Sequence, residues 1–356
     1  MESKAEKRPV GATTARILPV EEAVGTVLAH DITEIRPGQF KGVAFKKGHV
    51  VRPEDVEHLK RLGKNHLYVL ELGPGQLHED VAAERLARAI AGDGVDTAGP
   101  PAEGKIKFLA ARKGLLKVNV DALYRINLLG EVMCSCKHTN MVVEKGDALG
   151  GTRAIPLVIE AKIVERAEEI CSRAGGILSV LPLRSVRAGV VITGTEVVER
   201  RVKDVFGPIM SGKLERLGST VIDICHAHDD IDEIQSKLEN LLERGAELII
   251  ATGGMSVDPD DVTRHAIRRL GVREFHYGSP VLPGAMFLVA YLERDGIPVL
   301  GVPACGMYSS TTVLDLVLPR ILAGEHIGRE ELAALGHGGY CYKCDPCRFP
   351  VCPFGK

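Results

Sequence analysis

The 356-residue chain has no excess of either charge and no long apolar run, and its first residues are not expected to act as a leader. Lys and Arg number 45 against 47 Asp and Glu, a formal net charge of −2, so no overall basic field points to nucleic acid or anionic lipid as a partner. No stretch approaches the roughly 18 consecutive apolar residues of a membrane span. Met1 to Arg8 is charged with no apolar segment behind it, and the expectation is a cytoplasmic protein without membrane contact. Without a leader, nine cysteines do not imply a disulfide scaffold. What remains is a chain long enough for two or three domains with a sizeable core.

Those domains are expected at 1–104 (an α+β segment and linker), 105–184 (a β-rich subdomain with a connecting helix), 185–326 (an α/β domain) and 327–356 (a cysteine-rich tail). In the first, Pro53 to about Leu62 reads as a helix stopped by Gly63, and Leu67 to Leu70 as a strand. Glu79 to Ala91 is helical, and Gly92 to Gly104, rich in Gly, Pro and Ala, reads as a mobile linker. Lys105 to Leu157 alternates short strands and turns. Cys134, Cys136 and His138 lie there at a spacing that puts all three on one face of a strand, where three ligands diverge poorly around a metal and buried thiols are the simpler reading. Ile159 to Ala174 is an amphipathic helix.

From Ala188 onward strands and helices alternate with short connections, which predicts a largely parallel sheet covered on both faces. In such sheets ligands collect outside the carboxyl ends of the strands. Thr193, Gly194 and Glu196 follow the first strand, and Asp229 follows the second. Ala251 to Thr263 follows the third and reads Ala-Thr-Gly-Gly-Met-Ser-Val-Asp-Pro-Asp-Asp-Val-Thr. In it Gly253 and Gly254 permit unusual torsions and close approach of a ligand. Asp258, Pro259, Asp260 and Asp261 read as the cap and acidic first turn of a helix whose free N–H groups suit an anion. Gly301 to Gly306, with Pro303 and Cys305, closes the last strand and leads into a helix from about Met307 to Leu322. A dipole at that helix start would lower the thiol's pKa, but an inert buried cysteine is the commoner outcome and the favoured reading.

The order Thr252-Gly253-Gly254, one apolar residue, Ser256, then Pro259-Asp260-Asp261 resembles the loop of the molybdopterin-binding proteins: the molybdenumtransferases, the adenylyltransferases and their competence-protein relatives. The likeness runs from about Ala188 to Gly324. It implies a three-layer molybdopterin-binding domain with a largely parallel sheet, preceded by a smaller N-terminal α+β and β-rich segment. Arg16 to Asp31 and Phe45 to Val56 also resemble the family, the former implying a short helix leading into a strand that ends in Asp. The resemblance assigns Asp229 and Asp261 as catalytic carboxylates, and Thr193, Gly194, Glu196, Thr252, Gly253, Gly254, Ser256, Asp258, Pro303 and Cys305 as contacts to molybdopterin or its adenylylated form, with Mg2+ in the same expectation.

Departures from the family pattern bear on which step is performed. Arg36 to Gly42 lacks the family's Ser-Ala-Met-Asp-Gly-Tyr aspartate, and Thr195 stands where the family has Asp. Leu282 and Ala285 flank Pro283-Gly284 where its transferases carry lysines. Cys305 replaces an amide.

In the tail, Cys341, Cys344, Cys347 and Cys352 are followed by Pro353. Their spacing looks like a ferredoxin run with one extra residue before the last cysteine, which favours an iron–sulfur cluster or Zn2+. With Gly336 to Gly339 as a hinge, that centre is expected to be separable from the domain. Three classes of function stand open: a cofactor-assembly enzyme resembling the molybdopterin molybdenumtransferases, a non-catalytic cofactor carrier or sensor, and a nucleotide-hydrolysing or adenylyltransferase relative. A pterin ligand, a homo-oligomer, and contact with molybdoenzymes or other cofactor-assembly proteins complete the expectations.

Overall fold

The computed structural model describes residues 15–36, 40–70, 72–102, 104–256, 258–259 and 261–356. The charged Met1 to Arg8, residues 37–39 within the stretch Arg36 to Gly42, and Asp260 lie outside them. Instead of four segments the chain forms two compact units, one of Met1–Ala111, Val118–Lys137 and Lys145–Ser179, the other of Arg112–Lys117, His138–Glu144 and Val180–Lys356.

The first unit is built from antiparallel ladders. Ala15–Pro19 and Val27–Leu28 flank His66–Leu70, and the helix Asp55–Arg61 places Leu59 in a small core with Val20, Leu28, Phe45 and Val69. The short helix implied by family likeness after Arg16 is absent: Ala15–Pro19 is strand, and residues 20–25 form a turn. A second sheet runs in the order Val132–Cys136, Ala148–Ala154, Lys105–Ala110, Val95–Thr97. The expected linker therefore contributes an edge strand, with Val95 opposite Ala110 and Thr97 opposite Phe108; its glycines serve tight turns, and its backbone is tied into the sheet. The helices Glu79–Ile90 and Ala161–Ala174 pack together through a two-pronged Arg85–Glu168 pair at 2.8 and 2.6 Å. A helix, Val120–Asn127, also interrupts the stretch read as all strand, because the Asn119 side chain accepts the Ala122 N–H and caps it.

The second unit carries a six-stranded sheet. Its strands are β1 (Arg187–Thr193), β2 (Thr220–Ala227), β3 (Leu248–Thr252), β4 (Val272–Tyr277), β5 (Leu288–Leu292) and β6 (Pro298–Val302), in the order β2-β1-β3-β6-β5-β4. The first four in that order are parallel, β5 runs antiparallel between β6 and β4, and β4 again points the way of the first four. The interleaved helices are α1 (Thr195–Val198), α2 (Phe206–Arg216), α3 (Ile231–Glu243), α4 (Thr263–Arg269), α5 (Val313–Leu322) and α6 (Arg329–Ala334). Alternation along the strands sorts side chains into two layers. Val190, Ile250 and Leu300 pack with Met210 of α2 and Val317 of α5, while Val191, Ile249 and Val299 pack with Leu238 of α3 and Ile267 of α4. The result is the expected three-layer α/β domain.

Helix α5 starts at Val313, later than the expected start near Met307. Thr312 caps it, accepting the Leu314 N–H, and Asp315 completes a capping box. The same Asp315 pairs with Lys213, which is 6% exposed and also donates to the Ser310 carbonyl at 3.1 Å. A buried ammonium needs such a partner, and this one pins α2 to the start of α5.

The tail is not a hinged appendage. Leu282 N–H donates to the Gly339 carbonyl and Cys341 N–H to the Leu282 carbonyl, both at 2.8 Å. Phe354 is 2% exposed within the α2–α5 layer, with Phe349 set edge-to-face against it. Gly338 adopts φ +84°, and a Cβ there would collide with the Lys356 carbonyl. The glycines of 336–339 thus let the chain fold back closely, and the expectation of a separable tail gives way to one docked on the α/β unit.

Candidate functional site

The parallel strands β1, β2, β3 and β6 end on one edge of the sheet, so Thr193, Ala227, Thr252 and Val302 fall along it. Because β5 and β4 are antiparallel, the connection 278–287 lies on this edge as well. The glycine turn sits at its centre. Gly253 at φ +85° would drive a Cβ into the Thr193 carbonyl, and Gly254 at φ +55° would drive one into the Thr263 hydroxyl. Both positions therefore require glycine for torsion and for space.

Three threonines organise the turn. Thr193 Oγ1 donates to the Thr252 carbonyl at 3.1 Å and lies 3.0 Å from Thr263 Oγ1; with its one proton so used, it accepts from Thr263. Thr252 is fully buried, yet its own hydroxyl has no hydrogen-bond partner among the described residues. A buried, unpaired hydroxyl is costly. Tyr277 Oη donates to the Met255 carbonyl at 2.6 Å and lies 3.5 Å from the Ser256 carbonyl, tying β4 to the turn. Thr263 and Tyr277 are the site residues that sequence reasoning missed, since only the pairing across the sheet shows what their hydroxyls hold.

The acidic stretch behaves differently from its expected role. Helix α4 starts at Thr263 after Val262, with no side-chain cap and no acid in its first turn. Asp258 and Asp261 form a turn of their own, Asp261 N–H to the Asp258 carbonyl at 3.0 Å and Asp258 N–H to the Asp261 carboxylate at 3.2 Å. At seven residues α4 also offers little dipole to an anion. The reason is local: Asp261 turns back on the Pro259 turn, and the helix is seated by Thr263 on Thr193.

After β2 the two adjacent acids divide their work. Asp230 caps α3 by accepting the Glu233 N–H, whereas Asp229 accepts the Thr195 N–H at 2.9 Å and its hydroxyl at 3.0 Å. Thr195 thus joins the loops after β1 and β2 through a carboxylate that no helix cap occupies. Glu196 sits in the first turn of α1, with its carboxylate beside Gly194. No hydrogen bond or ion pair joins Asp229 to Asp261 among the described residues.

Pro303 leads into a single turn of 3-10 helix, Ala304–Met307. Burial pushes the Cys305 thiol up, as the reading of an inert buried cysteine expects, and a four-residue turn carries no useful macrodipole to lower it. Cys134 is buried in its strand and pushed up to about 12 by desolvation, while Cys136 is half-buried. His138 lies beyond that strand, so the three do not share one face.

In the tail, Cys344 and Cys347 are exposed and Cys341 and Cys352 half-buried. Among the described residues no three His, Cys, Asp or Glu side chains are grouped so as to hold a metal ion, and the four sulfurs do not converge as they stand. Two cavities of the described residues lie away from the glycine turn. One of about 820 Å³ lies between Arg125 and Lys162 in the first unit, and one of about 520 Å³ lies between Lys213, Pro319 and Phe349 in the second.

Comparison with known proteins matches the domain that carries this edge. Residues 189–323 match the family described as a probable molybdopterin binding domain, and residues 17–71 match one described as a domain of unknown function. Over 90 residues the chain is 39% identical to a CinA-like protein of Mycolicibacterium gilvum, covering 25% of this chain and 21% of that protein. It is 38% identical to a CinA-like protein of Mycobacterium avium over 90 residues, with the same coverage of 25% and 21%. The chain spans about a fifth of the length of the curated relatives it matches. A molybdopterin biosynthesis enzyme MoaB from Thermus thermophilus is 22% identical, covering 39% of this chain and 98% of that one at a TM-score of 0.33. A molybdopterin biosynthesis MoeA protein from Pyrococcus horikoshii is 14% identical, covering 88% and 75% at a TM-score of 0.33. Neither structural likeness bears on activity.

Proposed function

We propose, from the premise that residues 189–323 carry a domain of the molybdopterin-binding family, that this protein binds molybdopterin or its adenylylated form at the carboxyl edge of the sheet and acts in molybdenum cofactor biosynthesis. The observation that carries the reading is the Thr252 hydroxyl, fully buried and unpaired among the described residues beside a turn that only glycine fits. A polar ligand atom lying against the turn would satisfy that hydroxyl. Gly253 and Gly254 would let the ligand's phosphate or pterin amide approach the main chain, and Asp229, through Thr195, would hold the neighbouring loop in place. When bound, the pterin supplies the dithiolene that ligates molybdenum.

Thr252→Val tests this directly. The substitution keeps the shape and removes a hydroxyl that bonds nothing in the protein, so thermal stability should hold or rise by about 1 kcal/mol. Pterin affinity should fall by roughly 10-fold, the worth of about one hydrogen bond. The chain has no tryptophan, so pterin fluorescence can be titrated without that background. Unchanged affinity in the variant would place the ligand elsewhere.

Within that role we favour a binder over an efficient inserter of molybdate. The connection 278–287 contains no basic residue, and Leu282 there is 52% exposed. Molybdate is a doubly charged oxyanion, and a charge-assisted hydrogen bond contributes about 1.5–3 kcal/mol. Without two such bonds, insertion is slower by roughly 10²–10⁴. Purified protein supplied with molybdopterin and micromolar molybdate should accordingly form little cofactor, and Leu282→Lys/Ala285→Lys should form more. Rapid insertion by the parent would restore the transferase reading.

A further inference from the structure

Nine cysteines are free in this chain, and four of them fall between residues 341 and 352. Two of the four are already tied to the α/β unit. Cys341 is fixed by its N–H to the Leu282 carbonyl at 2.8 Å, and both Cys341 and Cys352 pack, half-buried, against the core layer that contains Phe354. The other two, Cys344 and Cys347, are exposed on the chain between them.

Two of the sulfurs also stand beside donors. Lys343 N–H donates to Cys341 Sγ at 3.4 Å, in a turn that puts Lys343 at φ +52°, a left-handed conformation that non-glycine residues seldom adopt. Thr311 Oγ1, on a residue 6% exposed, lies 3.4 Å from Cys347 Sγ. A backbone N–H two residues on and a buried hydroxyl are the kind of outer partners that support ligating thiolates. Charge is consistent too. Apart from the cysteines, the tail from 341 carries Lys343, Arg348 and Lys356 against Asp345. Four thiolates around a divalent core leave a net negative charge that these cations offset.

We propose that Cys341, Cys344, Cys347 and Cys352 are the ligands of one thiolate-bound metal centre, formed when the metal draws Cys344 and Cys347 onto the two cysteines held against the core. All-sulfur ligation selects zinc or an iron–sulfur cluster over hard cations. Four thiols that do not converge without the ion fit a site whose binding and local ordering are coupled. The centre would also fasten the chain beside Leu282, and through it the connection that carries Pro283 and Gly284 on the sheet edge. It does not depend on what that edge binds.

The experiment uses the full-length chain, purified without oxygen and reconstituted either with zinc alone or with ferrous iron and sulfide, then passed through a desalting column. Elemental analysis should find one zinc, or one iron–sulfur cluster, per chain. In the loaded chain the four tail thiols should resist iodoacetamide while those of the metal-free chain react. The pair Cys344→Ser/Cys347→Ser should lose the metal and the protection, and because both positions are exposed its melting temperature without metal should match the parent's. Cys225→Ser, at a half-buried thiol outside the tail, should keep the metal. Zinc and cluster outcomes identify the centre. Absence of both metals after desalting, or equal retention by the double variant, overturns the proposal.

Discussion

Gly254→Val is expected to abolish pterin binding, raising Kd by about 100-fold or more. The glycine stands at φ +55°, and a Cβ there collides with Thr263 Oγ1. A β-branched residue at left-handed torsions is strained by about 1–3 kcal/mol, and the turn relieves that strain by moving. Movement breaks the hydrogen bond between Thr263 and Thr193 and swings the 253–254 N–H groups away from any ligand phosphate. Losing two charge-assisted hydrogen bonds, at about 1.5–3 kcal/mol each, corresponds to 100-fold or more in affinity. Fluorescence titration measures it, with far-ultraviolet dichroism to establish that the variant is folded. A folded variant that binds as tightly as the parent would move the site off this turn, and the milder Thr252→Val would then be unaffected too.

A comparable effect, on stability, is expected of Phe354→Ala. The ring is 2% exposed among the α2 and α5 side chains, braced by Phe349. Removing a buried Phe leaves a cavity and costs about 3–5 kcal/mol, a large share of the stability of an ordinary domain. Hydrogen exchange should show β1 and β6 opening more readily while the ladders of the first unit keep their protection. Ending the chain at Leu335 should be worse, since it also removes the partner of the Leu282 N–H–Gly339 bond. A truncated protein as stable as the parent would show the tail to be an accessory after all.

The tail illustrates which parts of the structure the sequence announces. Val190-Val191-Ile192 and Leu248-Ile249-Ile250 are unbroken apolar runs, and they form the buried parallel strands such runs favour. The turn at Gly253-Gly254 was legible because paired glycines after a strand have few other uses. Phe354, by contrast, is one aromatic residue among Gly, Pro and Cys with no periodicity around it, so its burial follows only from the groove that α2 and α5 leave. The adjacent Asp229 and Asp230 could each have capped α3, and the choice depends on Thr195, thirty-four residues earlier. The stretch Met307 to Thr311 contains no Gly or Pro to mark a break before α5, whereas the capping box and the buried Lys213 decide its first residue. Thr263 was hidden in a similar way, its partner Thr193 lying seventy residues upstream.

The place of Phe354 in the core also sets an order in time. The strand that opens the sheet begins at Arg187, and the aromatic ring that completes one of its two layers is made 167 residues later. At the 5–20 residues per second of synthesis, that interval is on the order of ten seconds or more. Helix α5 is itself complete only at Leu322, so the groove it forms with α2 beneath Phe354 stands open for the last 32 residues of that interval, about 2–6 seconds, on a sheet whose parallel pairings are themselves slow to form. During that window the nascent α/β unit presents an apolar groove that disappears once the cysteine-bearing segment folds back. The segment that carries the thiols is thereby also the last piece of that layer's core to be made.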